Sequence, residues 1–134
     1  MKPLKVRKLK ASEVTFTVSI EPEDSEVNGH FCSGDPDYAE EERKQERQII
    51  RDLDRGYQEV WCCLVVTAEW EGIKGHASLG CCSFEKGDGV SVDKQAHQCA
   101  EEHDMQQEAL DDLNRNLQTQ ADRFRAFLNK LSYE

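Results

Sequence analysis

The stretch Trp61-Cys-Cys-Leu-Val-Val-Thr-Ala-Glu-Trp-Glu-Gly-Ile-Lys-Gly-His-Ala-Ser-Leu-Gly-Cys-Cys-Ser-Phe84 sets two vicinal cysteine pairs on either side of a glycine-containing turn. Val60–Trp70 is apolar on both faces and rich in β-branched and aromatic residues, the pattern of a central strand. Glu71-Gly-Ile-Lys-Gly75 is the predicted turn, and His76–Glu85 the returning strand of a hairpin. Zinc needs four ligands converging on one point, but adjacent side chains on a strand point to opposite faces. Cys62/Cys63 and Cys81/Cys82 therefore make no four-cysteine site without breaking both strands. Directly opposed cysteines would form a cross-strand disulfide only under strain. The favoured reading is burial of small hydrophobes, one cysteine of each pair facing the helices and its neighbour the other side of the sheet.

Outward from the hairpin, Val14-Thr-Phe-Thr-Val-Ser-Ile20 alternates strictly, which predicts a half-buried strand with Val14, Phe16, Val18 and Ile20 on one face. Asp35-Pro36 predicts an N-cap and first helical position for a helix over 36–55, with Tyr38, Ile49, Ile50 and Leu53 as its core candidates. Gly56 ends it. From Val92 onward neither proline nor glycine occurs, and apolar residues recur at three- and four-residue steps. About forty helical residues would span roughly 60 Å, so this helix must bend, with Asn114–Asn116 the expected place, or project and pair. Leu110, Leu113, Leu117, Phe124, Leu128 and Leu131 form the dimerisation seam, with Gln120 and Ala121 as a weak layer.

The predicted fold is α+β, a small antiparallel sheet in the order strand, helix, strand, strand, helix, with helices on one face and a long C-terminal helix. The expected organisation is a basic arm at 1–12, an α+β domain at 13–110 and a helical extension at 111–134.

The 134 residues carry a formal net charge of −10, with a pI near 4.9 and a mean hydropathy of −0.78. The cations Lys2, Lys5, Arg7, Lys8 and Lys10 cluster at the start, so the remainder is more acidic than the total. Nucleic-acid binding needs a basic face, and only this arm offers one. An acidic body instead suits a basic partner surface. Two clusters are the candidate contacts: Glu40, Glu41 and Glu42, and Glu101, Glu102, Asp104, Glu108, Asp111 and Asp112. The competing reading for both is a solvated face. No segment is apolar for the ~18 residues of a membrane span, and the start lacks an apolar signal core. Cytosolic placement and reduced cysteines are expected.

His30 and Cys32, with Cys99 and His103 spaced i, i+4, form a candidate Cys2His2 zinc set. Its rival is a helix with an interior cysteine and a solvated histidine. Six cysteines and four histidines make any Cys–His pairing uninformative. Lys86-Gly-Asp-Gly89 lacks the spacing of a phosphate loop. A non-catalytic protein is expected.

The runs Val14-Thr-Phe-Thr-Val-Ser-Ile-Glu-Pro-Glu-Asp24, Phe31-Cys-Ser-Gly-Asp35, Trp61-Cys-Cys-Leu-Val-Val-Thr-Ala68 and Ala77-Ser-Leu-Gly-Cys-Cys-Ser83 resemble small proteins of bacteriophages and mobile elements. The likeness covers roughly residues 12–85, and Glu108-Ala-Leu-Asp-Asp-Leu-Asn114 extends it into the last helix. It implies a phage accessory protein of the host cytosol that inhibits a defence or nucleic-acid-handling complex, as anti-CRISPR proteins do. It carries no assigned functional residue.

Overall fold

A computed structural model describes residues 5–29, 34–85 and 90–132. The elements are β1 (Thr15–Pro22), α1 (Ala39–Asp54), β2 (Cys62–Trp70), β3 (Ile73–Cys82), α2 (Val92–Glu102) and α3 (Met105–Leu131), with single 3-10 turns at Ala11–Glu13 and Gln58–Val60. The strands form one antiparallel sheet in the order β1-β2-β3, the predicted α+β architecture. Cys62, Leu64, Val66 and Ala68 on one face of β2 are fully buried. Phe16, Val18 and Ile20 of β1 are half-buried, while Thr15, Thr17 and Ser19 are exposed. Lys74, His76 and Ser78 of β3 are likewise exposed, against buried Gly75 and Ala77. The alternation thus follows the pleat, with the outer strands wet on one face.

The turn is shorter than expected. Only Glu71 (φ +48°) and Gly72 (φ +80°) lie between the strands. Two successive left-handed residues are the signature of the tight hairpin whose twist matches that of the sheet. Ile73-Lys74-Gly75 is therefore strand. This register puts Thr67 opposite His76, and their side chains meet at 3.1 Å. Continued, it would place Cys63 opposite Gly80 and Cys62 opposite Cys81. Cys81 instead adopts φ +57°, and the buried position slips by one, from Cys81 to Cys82. Such a slip is the mark of a β-bulge. Cys62 and Cys82 are consequently the buried members of their pairs, with Cys63 half-buried and Cys81 exposed.

Helix boundaries also differ from expectation. α1 begins at Ala39, three residues late, because the Asp35 carboxylate accepts the Asp37 N–H (3.0 Å) and closes a separate turn. Tyr38 then falls outside the helix and is 60 % exposed, not core. Ile49 is buried, with Ile50 and Leu53 packed beside it. At the other end Gly56 (φ +91°) donates to the Leu53 carbonyl and Tyr57 to that of Asp52, at 2.9 and 3.0 Å, a Schellman stop. The last helical region breaks at His103–Asp104, where Asp104 is left-handed (φ +53°). α3 runs unbroken through Asn114–Asn116, so the bend lies a full ten residues before the predicted place.

The chain forms two compact units, residues 1–18, 66–77 and 100–134, and residues 19–65 and 78–99. In the first, Leu9, Met105, Ala109, Leu110, Leu113 and Leu117 are buried with Val66, Ala68 and Ala77. A Cβ on Gly75 would run into the backbone of Leu113 and Ala109, so a glycine is what lets α3 approach β3 this closely. The edge of β3 is covered by α3: Asp112 accepts the His76 N–H (2.8 Å) and the Asn116 amide donates to the Lys74 carbonyl (2.8 Å). The segment before β1 is held by the same helix. Asn114 bonds both the N–H and the carbonyl of Leu9, at 2.9 and 3.2 Å, and Gln118 accepts the Val6 N–H. Val6 and Leu9 are thus tied by backbone to α3, and Leu113 and Leu117 are buried in this unit. In the second unit Val27, Ile49, Val60 and Trp61 pack together, and the Trp61 indole N–H donates to the Ser25 carbonyl (2.9 Å). Ser91 caps α2 by accepting the Lys94 N–H.

Candidate partner-binding surfaces

The carboxylates at the α2–α3 junction owe their exposure to the helix break. The left-handed turn at Asp104 lets α3 start afresh with Met105, Ala109 and Leu110 buried. Glu101, Glu102, Asp104, Glu108 and Asp111, in the same unit, are left exposed. No lysine or arginine occurs from Glu101 to Asp112. Asp112 is the exception within the predicted set, since its carboxylate binds the His76 N–H and approaches Arg115 at 3.4 Å. It is a covering group for a strand edge, and only tertiary placement reveals this.

Glu40, Glu41 and Glu42 occupy the first turn of α1, where carboxylates complement the helix dipole. Glu40 and Glu41 are exposed, Glu42 is half-buried, and Glu41 lies 3.6 Å from Lys44. The second unit also holds a recess of about 460 Å³ that the sequence did not disclose. Gln45, Gln48 and Asp52 from one face of α1 form one wall, Ile49 and Val60 the floor, and Tyr57, Glu59 and Glu85 the far side. Gln48 is oriented by a chain in which Arg51 donates to its oxygen (2.8 Å) and its amide donates to Asp52 (3.0 Å). Three carboxylates around an apolar floor suit the stem and head of a lysine or arginine side chain. The recess was hidden because its walls come from residues up to forty positions apart.

Two of the four residues of the expected zinc set, Cys99 and His103, lie among the described residues. Cys99 lies in α2, whereas His103 falls past its end in the turn before Asp104. His30 and Cys32 lie outside the described residues. Among the described residues, no group of three or more His, Cys, Asp or Glu is placed to hold a metal ion. Three of the thiols are shifted by burial. Burial, reinforced by the nearby Cys82 and Cys63, pushes Cys62 up to about 12, and burial beside Cys99 pushes Cys82 up to about 11. Burial also raises Cys63. Cys82 donates to the Leu79 carbonyl at 3.2 Å.

The basic segment is partly neutralised within the chain. Arg7 holds Glu13 in a two-pronged pair at 2.9 and 2.8 Å, and Glu13 also accepts the Lys10 N–H (3.0 Å). These bonds lower Glu13 to about 2. Lys2 lies outside the described residues. Glu23 is held low by N–H groups of Cys81 (2.7 Å) and Ser25 (3.1 Å), so it anchors the bulge.

Comparison with protein-family models, with characterised proteins and with solved structures returns no match. The likeness to small phage proteins accordingly rests on the quoted runs alone. Among the described residues no helix is long and apolar enough to cross a membrane.

Proposed function

We infer that this chain is a non-catalytic acidic binding module that docks on the basic surface of a nucleic-acid-handling complex and blocks it. The observation that carries the reading is the run Glu101, Glu102, Asp104, Glu108 and Asp111, exposed around a left-handed turn and free of lysine and arginine. Carboxylates clustered on an exposed surface imitate phosphates and compete for cations that would otherwise hold nucleic acid. Complementary fields speed such encounters and weaken with salt. The acidic recess beside α1 offers a second contact, for one basic side chain. The resemblance to phage proteins supplies the target class, a host defence complex such as a CRISPR effector.

The test is affinity capture from host lysate with the wild-type chain and with a variant carrying Glu101→Lys, Glu102→Lys, Glu108→Lys and Asp111→Lys. A specific nucleic-acid-handling complex should come down with the wild type and be lost, at least tenfold, with the variant. Undiminished capture by the variant removes this surface from the mechanism. Asp112 is left unchanged because its substitution would unseat β3.

A further inference from the structure

The heptad seam of α3 changes character along its length. Leu110, Leu113 and Leu117 are buried in their own unit, whereas beyond Gln120 the same seam stands open. Phe124, Phe127, Leu128 and Leu131 are 59 %, 56 %, 47 % and 57 % exposed. Phe127, with Phe124 and Leu131, continues the three- and four-residue steps of the buried half, and Leu128 widens the stripe by one position. Four large apolar side chains on about two turns are far more than scattered surface hydrophobes. Being a straight prolongation of a heptad, the stripe has the shape that a like helix fills by knobs-into-holes packing.

We propose that Phe124–Leu131 pairs with the same segment of a second copy of this chain. The area fits that occupant. Half-exposed, these side chains offer roughly 400–500 Å² per copy, so two copies bury about 800–1,000 Å², the size of a weak, concentration-dependent interface. The charge argues against the main rival, an anionic lipid surface. Arg123, Arg125 and Lys130 flank the stripe, but the chain as a whole carries −10 and would be repelled from such a surface. Gln120, exposed at the seam position next to Phe124, becomes the polar layer that fixes register at a cost in affinity. The pairing is isologous, each copy giving and receiving one patch.

Sedimentation equilibrium of the full chain over about 1 to 300 µM tests this, a range suited to an interface near the size limit. The mass should rise with concentration from 15.4 kDa towards twice that value and no further. Phe124→Asp with Leu128→Asp should hold it at one chain throughout, with an unchanged circular dichroism spectrum, since neither side chain is in the core. Gln120→Leu should tighten association about tenfold, an effect that only pairing along this seam predicts. A wild-type mass constant at 15.4 kDa, or undiminished association of the Asp variant, overturns the proposal. So does a monomer that co-sediments with vesicles of phosphatidylserine and phosphatidylcholine, because lipid is then the occupant.

Discussion

Glu13 shows how much a single exposed side chain can be held by geometry. Arg7 grips both its oxygens and the Lys10 N–H adds a third bond, which lowers the carboxyl from its ordinary value near 4.5 to about 2. Because the folded value is depressed, the stabilisation is present above the ordinary value and is lost as pH falls through about 2. Carboxyl-resolved NMR should find the Glu13 midpoint near 2, and Arg7→Gln should raise it part of the way back, the Lys10 bond remaining. A midpoint unmoved by that substitution would remove Arg7 as the cause. The cysteines differ from one another for the same kind of reason. Cys81 is exposed at the bulge, while Cys62 and Cys82 are buried with raised thiols. Ellman's reagent at pH 8 should label Cys81 before Cys62 and Cys82, and reach those two at an equal rate only in denaturant. That one member of each pair is buried was legible from strand alternation. Which member was not, because the answer turns on a two-residue turn and a one-residue bulge, neither of which alternation encodes.

At the scale of elements, α3 acts as a spine with two polar rails. Asp112 and Asn116 meet the backbone of β3, Asn114 and Gln118 meet residues 6–9, and Ala109, Leu110, Leu113 and Leu117 are buried. The apolar stripe was readable from its period. The rails were not, since amides and carboxylates on a helix look alike whether they face water or a strand edge. The close approach depends on Gly75. Gly75→Ala should cost about 2–4 kcal/mol in urea unfolding, because the methyl meets helix backbone that cannot rotate away. A cost under half a kcal/mol would mean that α3 stands further off. The break between α2 and α3 makes a second demand on backbone. At Asp104 (φ +53°) glycine should be neutral or stabilise by up to about 1 kcal/mol, whereas valine should destabilise by about 1–2 kcal/mol. Equal stability of the two variants would place the break elsewhere. The sequence concealed this break because aspartate permits helix and left-handed turn alike.

Over the whole molecule, charge and apolar surface are divided between different jobs. The carboxylates from Glu101 to Asp111 are displayed, and the opened seam at Phe124–Leu131 carries basic flanks on a chain of net charge −10. Binding through the carboxylates should therefore weaken severalfold between about 50 and 300 mM salt, as screened surface charges do, while self-association through the seam should hold or strengthen. Partner binding that ignores salt would point to the recess floor or the apolar seam. By itself the sequence determined the fold class, the central place of β2, the capped end of α1 at Gly56 and the acidic clusters, because period, chirality and charge are local properties. Tertiary structure alone decided which half of the α3 seam is core, which carboxylate covers a strand edge and where the acidic recess lies. Those outcomes depend on which backbones approach one another, and a periodic pattern states that a face is apolar without stating what buries it.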